Sequence, residues 1–574
     1  MEPDKVLVLG DDSRAFLAVV RSLGRRGLAV HVCPFDHAAF ALRSRHIAAI
    51  HRLPPYNLDP AAWVEAVRTL FDQHRFALVV PCDDRSILPL QRHREAWGGT
   101  RIALPNEAAF AAFFDKQATR ELAAGTGVPV APGEAFGAAP PDASTLVKRY
   151  GLPLALKPRH SFELDQIASR RSVSILHTEA ALAAALAALD RPELYLVEGF
   201  FEGSGVGVSI LAAEGEILQA FQHHRVFESG PTGGSTYRVS AALDPALEQA
   251  TAALARAAAL HGVAMFEFRR NMATGQFVLL EVNARFWGSL PLAIAAGIDF
   301  PAQLYDLLVE GRRHPRIRYR VGQYARSLGN DAYRVVGALS DHATSLPARL
   351  ARVGGEFATG LGRMLLGREL HDTFAGDDLR PWLGEWGEIG TWIAGGATRR
   401  VPLLPRLAAA RHRRALAAQL RPIEGRVRRL LVLCFGNICR SPFAAALLAE
   451  RLRETRPDIL VTQAGFLPKE GRPSPPTAIE EAAGFGIDLS AHRSRFAHDA
   501  EVVAADAILV FDGHNLAELA RRGLPADARV VMLGDFAAQP GDIEDPYGGP
   551  AATFHETYGR IAACIDAVVD TLRR

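Results

Sequence analysis

Cys434 and Arg440 lie six residues apart in the run LLVLCFGNICRSP, residues 430–442. A thiolate beside a guanidinium and a row of backbone N–H groups suits attack on an oxyanion such as a phosphoester. The neighbouring residues serve such a loop. Gly436 lets the backbone approach an anion closely, and Asn437 tolerates a left-handed turn while hydrogen-bonding within the loop. The Ser441 hydroxyl either donates to the thiolate or caps the following helix. A nucleophile also needs an acid for the leaving oxygen. Asp545, in Asp545–Pro546–Tyr547, is the downstream candidate: the proline holds it extended, and Tyr547 can wall an aromatic slot. The elements that must position these groups are a buried strand and a helix. The apolar run 430–433 predicts a parallel strand. Ser441 as N-cap and Pro442 in the first turn predict a helix whose apolar face is Phe443, Leu447, Leu448 and Leu452.

A second set of chemistry-bearing residues falls in GVAMFEFRRNMATGQFVLLEVNARFWG, residues 262–288. This reads as a hairpin: a strand over 263–268, a turn around 271–275, and a strand over 277–283. Glu267 interrupts the first strand, and Glu281 and Asn283 share one face of the second. Two carboxylates and an amide at the ends of apolar strands form an oxygen-rich site suited to Mg²⁺. Salt bridges to Arg269, Arg270 or Arg285 are the alternative. Upstream, Lys157 closes the apolar run LPLALK, where its ammonium must reach water or an anion. Residues 198–203 (EGFFEG) follow another strand as a turn-rich hinge.

The chain has 574 residues, too many for one hydrophobic core. Its net charge of +2 and ordinary apolar content of 49% argue against disorder and against a strongly basic nucleic-acid binder. Five cysteines, sparse and without zinc-type spacing, fit a reducing cytoplasm. No signal-peptide pattern and no apolar run of transmembrane length is present, so the expectation is a soluble cytoplasmic protein. Residues 1–110 alternate short apolar runs (6–9, 29–32, 77–80) with helical stretches, which predicts a doubly wound α/β unit. Gly10 follows its first strand, but Asp11 and Asp12 occupy the turn where a pyrophosphate-binding loop needs glycines.

Lys116, Lys157, the hinge at 198–203, Glu267 and the ending Glu281-x-Asn283-x-Arg285, taken in order, resemble the ATP-grasp superfamily, with its carboxylate–amine ligases the nearest branch. The resemblance covers roughly the first 310 residues. It implies that Lys116 and Lys157 contact ATP phosphates and that Glu198, Phe200 and Phe201 bind adenine. Glu267, Glu281 and Asn283 would hold Mg²⁺, and Arg285 would stabilise the transferring phosphoryl group. The implied reaction phosphorylates a small carboxylate and lets an amine displace the phosphate. The segment after Lys157 lacks the usual glycine-rich phosphate loop, and no acidic ribose ligand follows the hinge. A non-catalytic nucleotide sensor or scaffold is therefore the alternative. His223–His224–Arg225 with Gly233, Gly234 and Ser235 reads either as an acceptor-substrate loop or as an ordinary hairpin.

Residues 428–574 resemble the low-molecular-weight protein tyrosine phosphatases through CFGNICRSP, GRPSPPTAIEEAAGFGIDLSAHRSR, ADAILVFD and DPYGG. The resemblance implies Cys434 as the nucleophile of a phosphocysteine intermediate, Arg440 as phosphate ligand and Asp545 as acid, with no metal. It implies that Cys439 can form a protective reversible disulfide with Cys434. Ile438, where relatives acting on phosphoarginine tend to carry threonine, favours a phosphotyrosine protein or another aryl phosphate. The expected organisation is an α/β multidomain chain: an α/β pre-ATP-grasp domain (1–110), an α+β ATP-grasp domain (111–312), a mainly helical Arg-rich linker (313–427) and a doubly wound parallel-sheet phosphatase domain (428–574). The linker reads as a solvated helix or as a surface for anionic lipid or a protein partner. It has no interleaved aromatics for stacking bases, so nucleic acid is not an expected partner.

Overall fold

The computed structural model describes residues 3–572 apart from 11–13, 36–38, 55, 58, 165–166, 168–170, 172, 188, 190, 230–233, 330, 332–334, 336–345, 399–426, 468–469, 522–529, 537–540 and 548–550. Asp11, Asp12, Gly233 and the Arg-rich stretch 399–426 therefore lie outside the described residues. The chain divides into two compact units, Met1–Ile389 and Gly390–Arg574. No helix among the described residues is long and apolar enough to cross a membrane.

The first unit begins with a parallel sheet of β1 (Lys5–Leu9), β2 (Ala29–Cys33), β3 (Ile47–Ile50) and β4 (Leu78–Pro81), in the order β3-β2-β1-β4. β1 and β4 are buried almost throughout, as continuous apolar strands with helices on both faces must be. A second sheet contains β5 (Gly133–Ala135), β6 (Leu154–Pro158), β7 (Ser174–Leu176) and β8 (Tyr195–Gly199). The third has seven strands: β9 (Ser204–Ala213), β10 (Glu216–Ser229), β11 (Gly234–Ala241), β12 (Gly262–Arg270), β13 (Phe277–Asn283), β14 (Tyr324–Arg326) and β15 (Glu369–His371). The hinge at 198–203 leads from the second sheet to the third. Gly203 is needed there because a Cβ would meet the Arg270 carbonyl oxygen at 2.4 Å.

Of the expected linker 313–427, the described residues up to 398 include two short strands as well as helices. β14 pairs with β11, and β15 pairs with β14, so these two strands complete the seven-stranded sheet. Two buried ion pairs fasten the following residues: Asp372 to Arg238 of β11, and Asp378 to Arg21 at 2.9 Å. Helices do occur here, at Leu346–Leu365 and Arg380–Thr398. His223, His224 and Arg225 lie within β10, all three paired with β11 and the two histidines also with β9.

The second unit is built on a parallel sheet of β16 (Arg429–Cys434), β17 (Leu460–Gly465), β18 (Ala507–Val510) and β19 (Val530–Met532), in the order β17-β16-β18-β19. Strand order reverses beside β16, the switch point at whose carboxyl end open α/β sheets place their binding sites. Cys434 is the last residue of that strand. The helix Arg440–Leu452 follows, burying Phe443, Leu447, Leu448 and Leu452. Each such side chain contributes about 1.5–3 kcal/mol. Tyr558, on the C-terminal helix Ala551–Leu572, stacks on Phe443 at 4.0 Å and donates to the Cys439 carbonyl at 3.2 Å. Core packing thus sets the height of the loop above the sheet.

Candidate functional sites

The loop between Cys434 and Arg440 is held from several sides. Asn437 has a left-handed φ of +52°, and its N–H donates to Cys434 Sγ, 3.2 Å away. Ser441 Oγ lies 3.0 Å from the same sulfur and accepts from Asn437 Nδ2 at 2.8 Å. With an amide donor already on that oxygen, the hydroxyl proton is left for the sulfur or for the Ala464 carbonyl, 3.4 Å away. The helix cap is Cys439, and Ser441 lies inside the first turn, so its hydroxyl serves the sulfur rather than the helix end. The Asn437 side chain also donates to Gln463 and accepts from the Arg495 backbone N–H at 2.7 Å. His492 Nε2 meets the Asn437 carbonyl at 2.7 Å, and Arg472 donates to the Gly436 carbonyl. Ile438 is buried at the edge of the core.

Arg440 is almost fully buried yet carries three anchors. Nη1 donates to Asp512 Oδ2 at 2.5 Å and to the Ile543 carbonyl at 2.8 Å, and Nη2 donates to Asp545 Oδ2 at 2.7 Å. Burial works against its charge, but Asp545, Cys434 and Asp512 together hold it more firmly protonated than a free arginine. Its Nε is buried with no hydrogen-bond partner among the described residues, a donor available to a ligand oxygen. Asp545 is exposed, and Tyr547 is well exposed beside it. Burial first, then the Asp545 carboxylate, pushes the Cys439 thiol up, so it stays protonated. Asp512, which closes the run ADAILVFD, and the loop supports Gln463, Arg472 and His492 are additions to the residues expected from sequence.

In the first unit, Asp84, Lys116, His160, Ser161, Glu281 and Asn283 line one cleft of about 460 Å³. Asp115 caps the helix Lys116–Gly125, and Lys116 Nζ donates to Ser161 Oγ at 3.1 Å. β12 and β13 place Glu267 directly opposite Glu281, and Asn283 Nδ2 donates to Glu281 Oε1 at 3.3 Å. The partner of Glu267 is Arg225, rather than Arg269, Arg270 or Arg285. Burial raises the proton affinity of Glu267; Arg225 opposes this and Glu281 adds to it. Arg269 pairs with Glu228, Arg270 with Asp244, and Arg285 with Asp84 at 2.7 Å and with Asn283 Oδ1 at 3.0 Å. Lys157, buried at the end of β6, pairs with Glu198, which also accepts from Arg120 at 2.6 Å. Phe200 is partly exposed on the hinge, with the Arg269 guanidinium 5.2 Å from its ring centroid, and Phe201 follows it. Glu281 and Asn283 thus share a cleft with Lys116, whereas Lys157 and Glu198 are engaged with each other.

The oxygen donors of Glu281 and Asn283 fit a hard divalent cation such as Mg²⁺. Glu267 would complete such a set from the facing strand while sharing its charge with Arg225. The anion-shaped loop at the carboxyl end of β16 and the acid-lined cleft of the first unit are two separate centres of chemistry.

Both centres have counterparts among known proteins. The family described as low molecular weight phosphotyrosine protein phosphatase matches residues 429–574, and ATP-grasp in the biosynthetic pathway with Ter operon matches residues 191–325. The probable low molecular weight protein-tyrosine-phosphatase EpsP of Ralstonia nicotianae is 38% identical over 147 residues, covering 26% of this chain and 97% of that protein. The low molecular weight protein-tyrosine-phosphatase Wzb of Escherichia coli K12 is 31% identical over 129 residues, covering 22% of this chain and 84% of Wzb. Among solved structures, an L-amino acid ligase from Bacillus licheniformis superposes with a TM-score of 0.42 at 16% identity, over 55% of this chain and 78% of that one. The chain belongs, through its C-terminal domain, to the low molecular weight phosphotyrosine protein phosphatase family. An ATP-grasp domain precedes that domain in the sequence.

Proposed function

We propose that this chain joins two activities: hydrolysis of phosphotyrosine or another aryl phosphate by the C-terminal domain, and ATP-dependent joining of a carboxylate to an amine by the ATP-grasp part. The observation that carries the first is the Cys434 sulfur, which meets the Asn437 N–H and the Ser441 hydroxyl at the mouth of a loop closed by Arg440. The Cys434 thiolate attacks phosphorus, and the P–O bond to the aryl oxygen breaks as Asp545 gives that oxygen its proton. Asp545, now a carboxylate, takes a proton from water as the water attacks the phosphocysteine. Inorganic phosphate leaves, and the thiolate is restored with the Ser441 hydroxyl to stabilise it. Gly436, Asn437 and Ile438 shape the cradle. Cys439 is assigned the protective role, condensing with an oxidised sulfenic Cys434 to a disulfide and releasing water. A reducing cytoplasmic setting suits these chemistries, with all five cysteines present as buried thiols.

For the second activity, Lys116, Lys157, Glu198, Phe200, Phe201 and Arg285 form the proposed nucleotide site, and Glu267, Glu281 and Asn283 the proposed Mg²⁺ site. The cleft shared by Lys116, Glu281 and Asn283 supports this reading. Bound Mg²⁺ would neutralise phosphate charge. The buried grip of Glu198 on Lys157 and Arg120 favours the second reading, a domain that binds nucleotide without turnover. Assaying aryl-phosphate hydrolysis and ADP release in the same full-length chain tests both. Cys434→Ser should abolish the first and spare the second, and Glu281→Gln should do the reverse. ATP binding without ADP release across a broad panel of amino acids and small carboxylates would replace the ligase by the sensor.

A further inference from the structure

The first parallel sheet carries a group of imidazoles that neither proposed activity uses. His31 is the central residue of β2, His51 directly follows β3, and His74 ends the helix Pro60–His74 packed on that face of the sheet. One ring nitrogen from each lies within 4.8 Å of the other two. His31 Nδ1 and His51 Nε2 are 2.8 Å apart, and the three ring centroids are 4.9–5.0 Å from one another. Three separate elements therefore deliver three nitrogen donors to one point. His31 is buried, while His51 and His74 are only partly so, which leaves one side of the group open to solvent.

Two of the three rings sit where a positive charge is disfavoured. Burial, then His51, His74 and Lys5, pushes the His31 proton affinity down to about 4, and burial with His74 lowers that of His51. Neutral imidazole is the ligand form, so metal binding near neutral pH displaces no proton from His31. A hydrogen bond between two imidazoles satisfies one donor and one acceptor, and leaves the third ring without a share in it. Zinc–nitrogen bonds of about 2.0–2.1 Å set tetrahedral N···N separations of about 3.4 Å, so rotamer adjustments on the scale of an ångström would close the group on an ion.

We propose that His31, His51 and His74 bind one divalent transition-metal ion of the zinc class, with the fourth position open to water or an external ligand. Uncharged nitrogen donors select Zn²⁺, Cu²⁺ or Ni²⁺ over Mg²⁺ and Ca²⁺. The site is therefore chemically distinct from the carboxylate set at Glu281. With no carboxylate in the trio, and with Lys5 nearby, the bound charge is uncompensated, which tempers the affinity.

The test uses the untagged full-length chain, stripped with EDTA and dialysed, then titrated with Zn²⁺ by calorimetry. One equivalent should bind, at least tenfold more weakly in His51→Gln and in His74→Gln, and unchanged in Cys434→Ser. Unchanged zinc affinity in both histidine variants, or loss of binding in Cys434→Ser, overturns the proposal. Absence of zinc binding by the parent chain does so too, and marks the rings as an aromatic cluster with Phe76. Should either histidine variant fail to fold, Co²⁺ titration of the parent chain decides. Visible d–d bands without a thiolate charge-transfer band support three imidazoles; a thiolate band, or no bands, overturns them.

Discussion

Arg440 Nη2 donates to Asp545 Oδ2 at 2.7 Å, so the proposed phosphate ligand also holds the proposed acid. The other terminal nitrogen is committed to Asp512 and the Ile543 carbonyl, and Nε is a buried donor without a partner among the described residues. A phosphate dianion entering the loop meets the Asp545 carboxylate at the same guanidinium. Two anions on one cation repel, so an entering phosphate competes with the Asp545 carboxylate for the guanidinium. The contact thus places the proposed acid beside the proposed phosphate site.

Asp545→Asn removes the transferable proton and keeps the side chain's size. Turnover should fall about 10²–10⁴-fold for phenyl phosphate. The loss should be smaller for p-nitrophenyl phosphate, whose leaving oxygen needs little help. A series of substituted aryl phosphates checks this: the dependence of kcat on leaving-group pKa should steepen in the variant. An unchanged slope would remove Asp545 from the acid role.

Asp512→Ala tests the opposite anchor. It frees Arg440 Nη1 from its charged partner while leaving the Ile543 carbonyl in place. A hydrogen bond between charged groups is worth about 1.5–3 kcal/mol, so kcat/KM should fall about 10- to 150-fold. Asp512→Asn keeps an acceptor at the same position and should recover part of that loss. Steady-state kinetics on both variants, with circular dichroism to confirm the fold, measure it.

What could be read from sequence follows from how local each signal is. The strand, loop and helix around Cys434 were legible because apolar run, turn residues and apolar helical face lie within about twenty consecutive positions. Asp512 is 72 positions from Arg440 and carries no local mark of that contact. Glu267 has arginines close by in sequence, yet its partner Arg225 is 42 positions away, brought there because β9 lies between β10 and β12. β14 and β15 are three residues each, too short for periodicity, and exist by virtue of pairing with β11 and with each other. The histidine trio leaves no mark in the sequence for the same reason: its members are spread over three elements and fall into no spacing motif.

His31 gives a pH dependence of known sign. Its proton affinity lies near 4 in the folded chain against 6.5 for a free imidazole. Between those values the unfolded chain binds more protons than the folded one, so stability rises with pH across that window. The metal-free protein should therefore lose stability as pH falls from about 6.5 towards 4, and His31→Gln should flatten that slope. Urea midpoints at half-unit pH steps, taken in EDTA, provide the measurement. An equal slope in the variant would assign the acid sensitivity to other groups.

Glu198 offers the sharpest test of what holds the ATP-grasp part together. Its carboxylate is 5% exposed and is shared by Lys157 and Arg120, which are 10% and 13% exposed. Both cations left water to reach it, so their desolvation is offset only while the carboxylate is present. Glu198→Ala leaves two buried cations facing each other and should cost about 3–5 kcal/mol. Glu198→Gln keeps an acceptor for Arg120 and should cost less. Urea unfolding followed by tryptophan fluorescence reports this transition, since Trp63, Trp97 and Trp287 are all buried in the first unit. Aryl-phosphate turnover by the second unit, followed in the same samples, should stay at its parent rate until that unit's own transition. A cost below about 1 kcal/mol would mean that Lys157 and Arg120 find water when the carboxylate is gone, as surface ion pairs do.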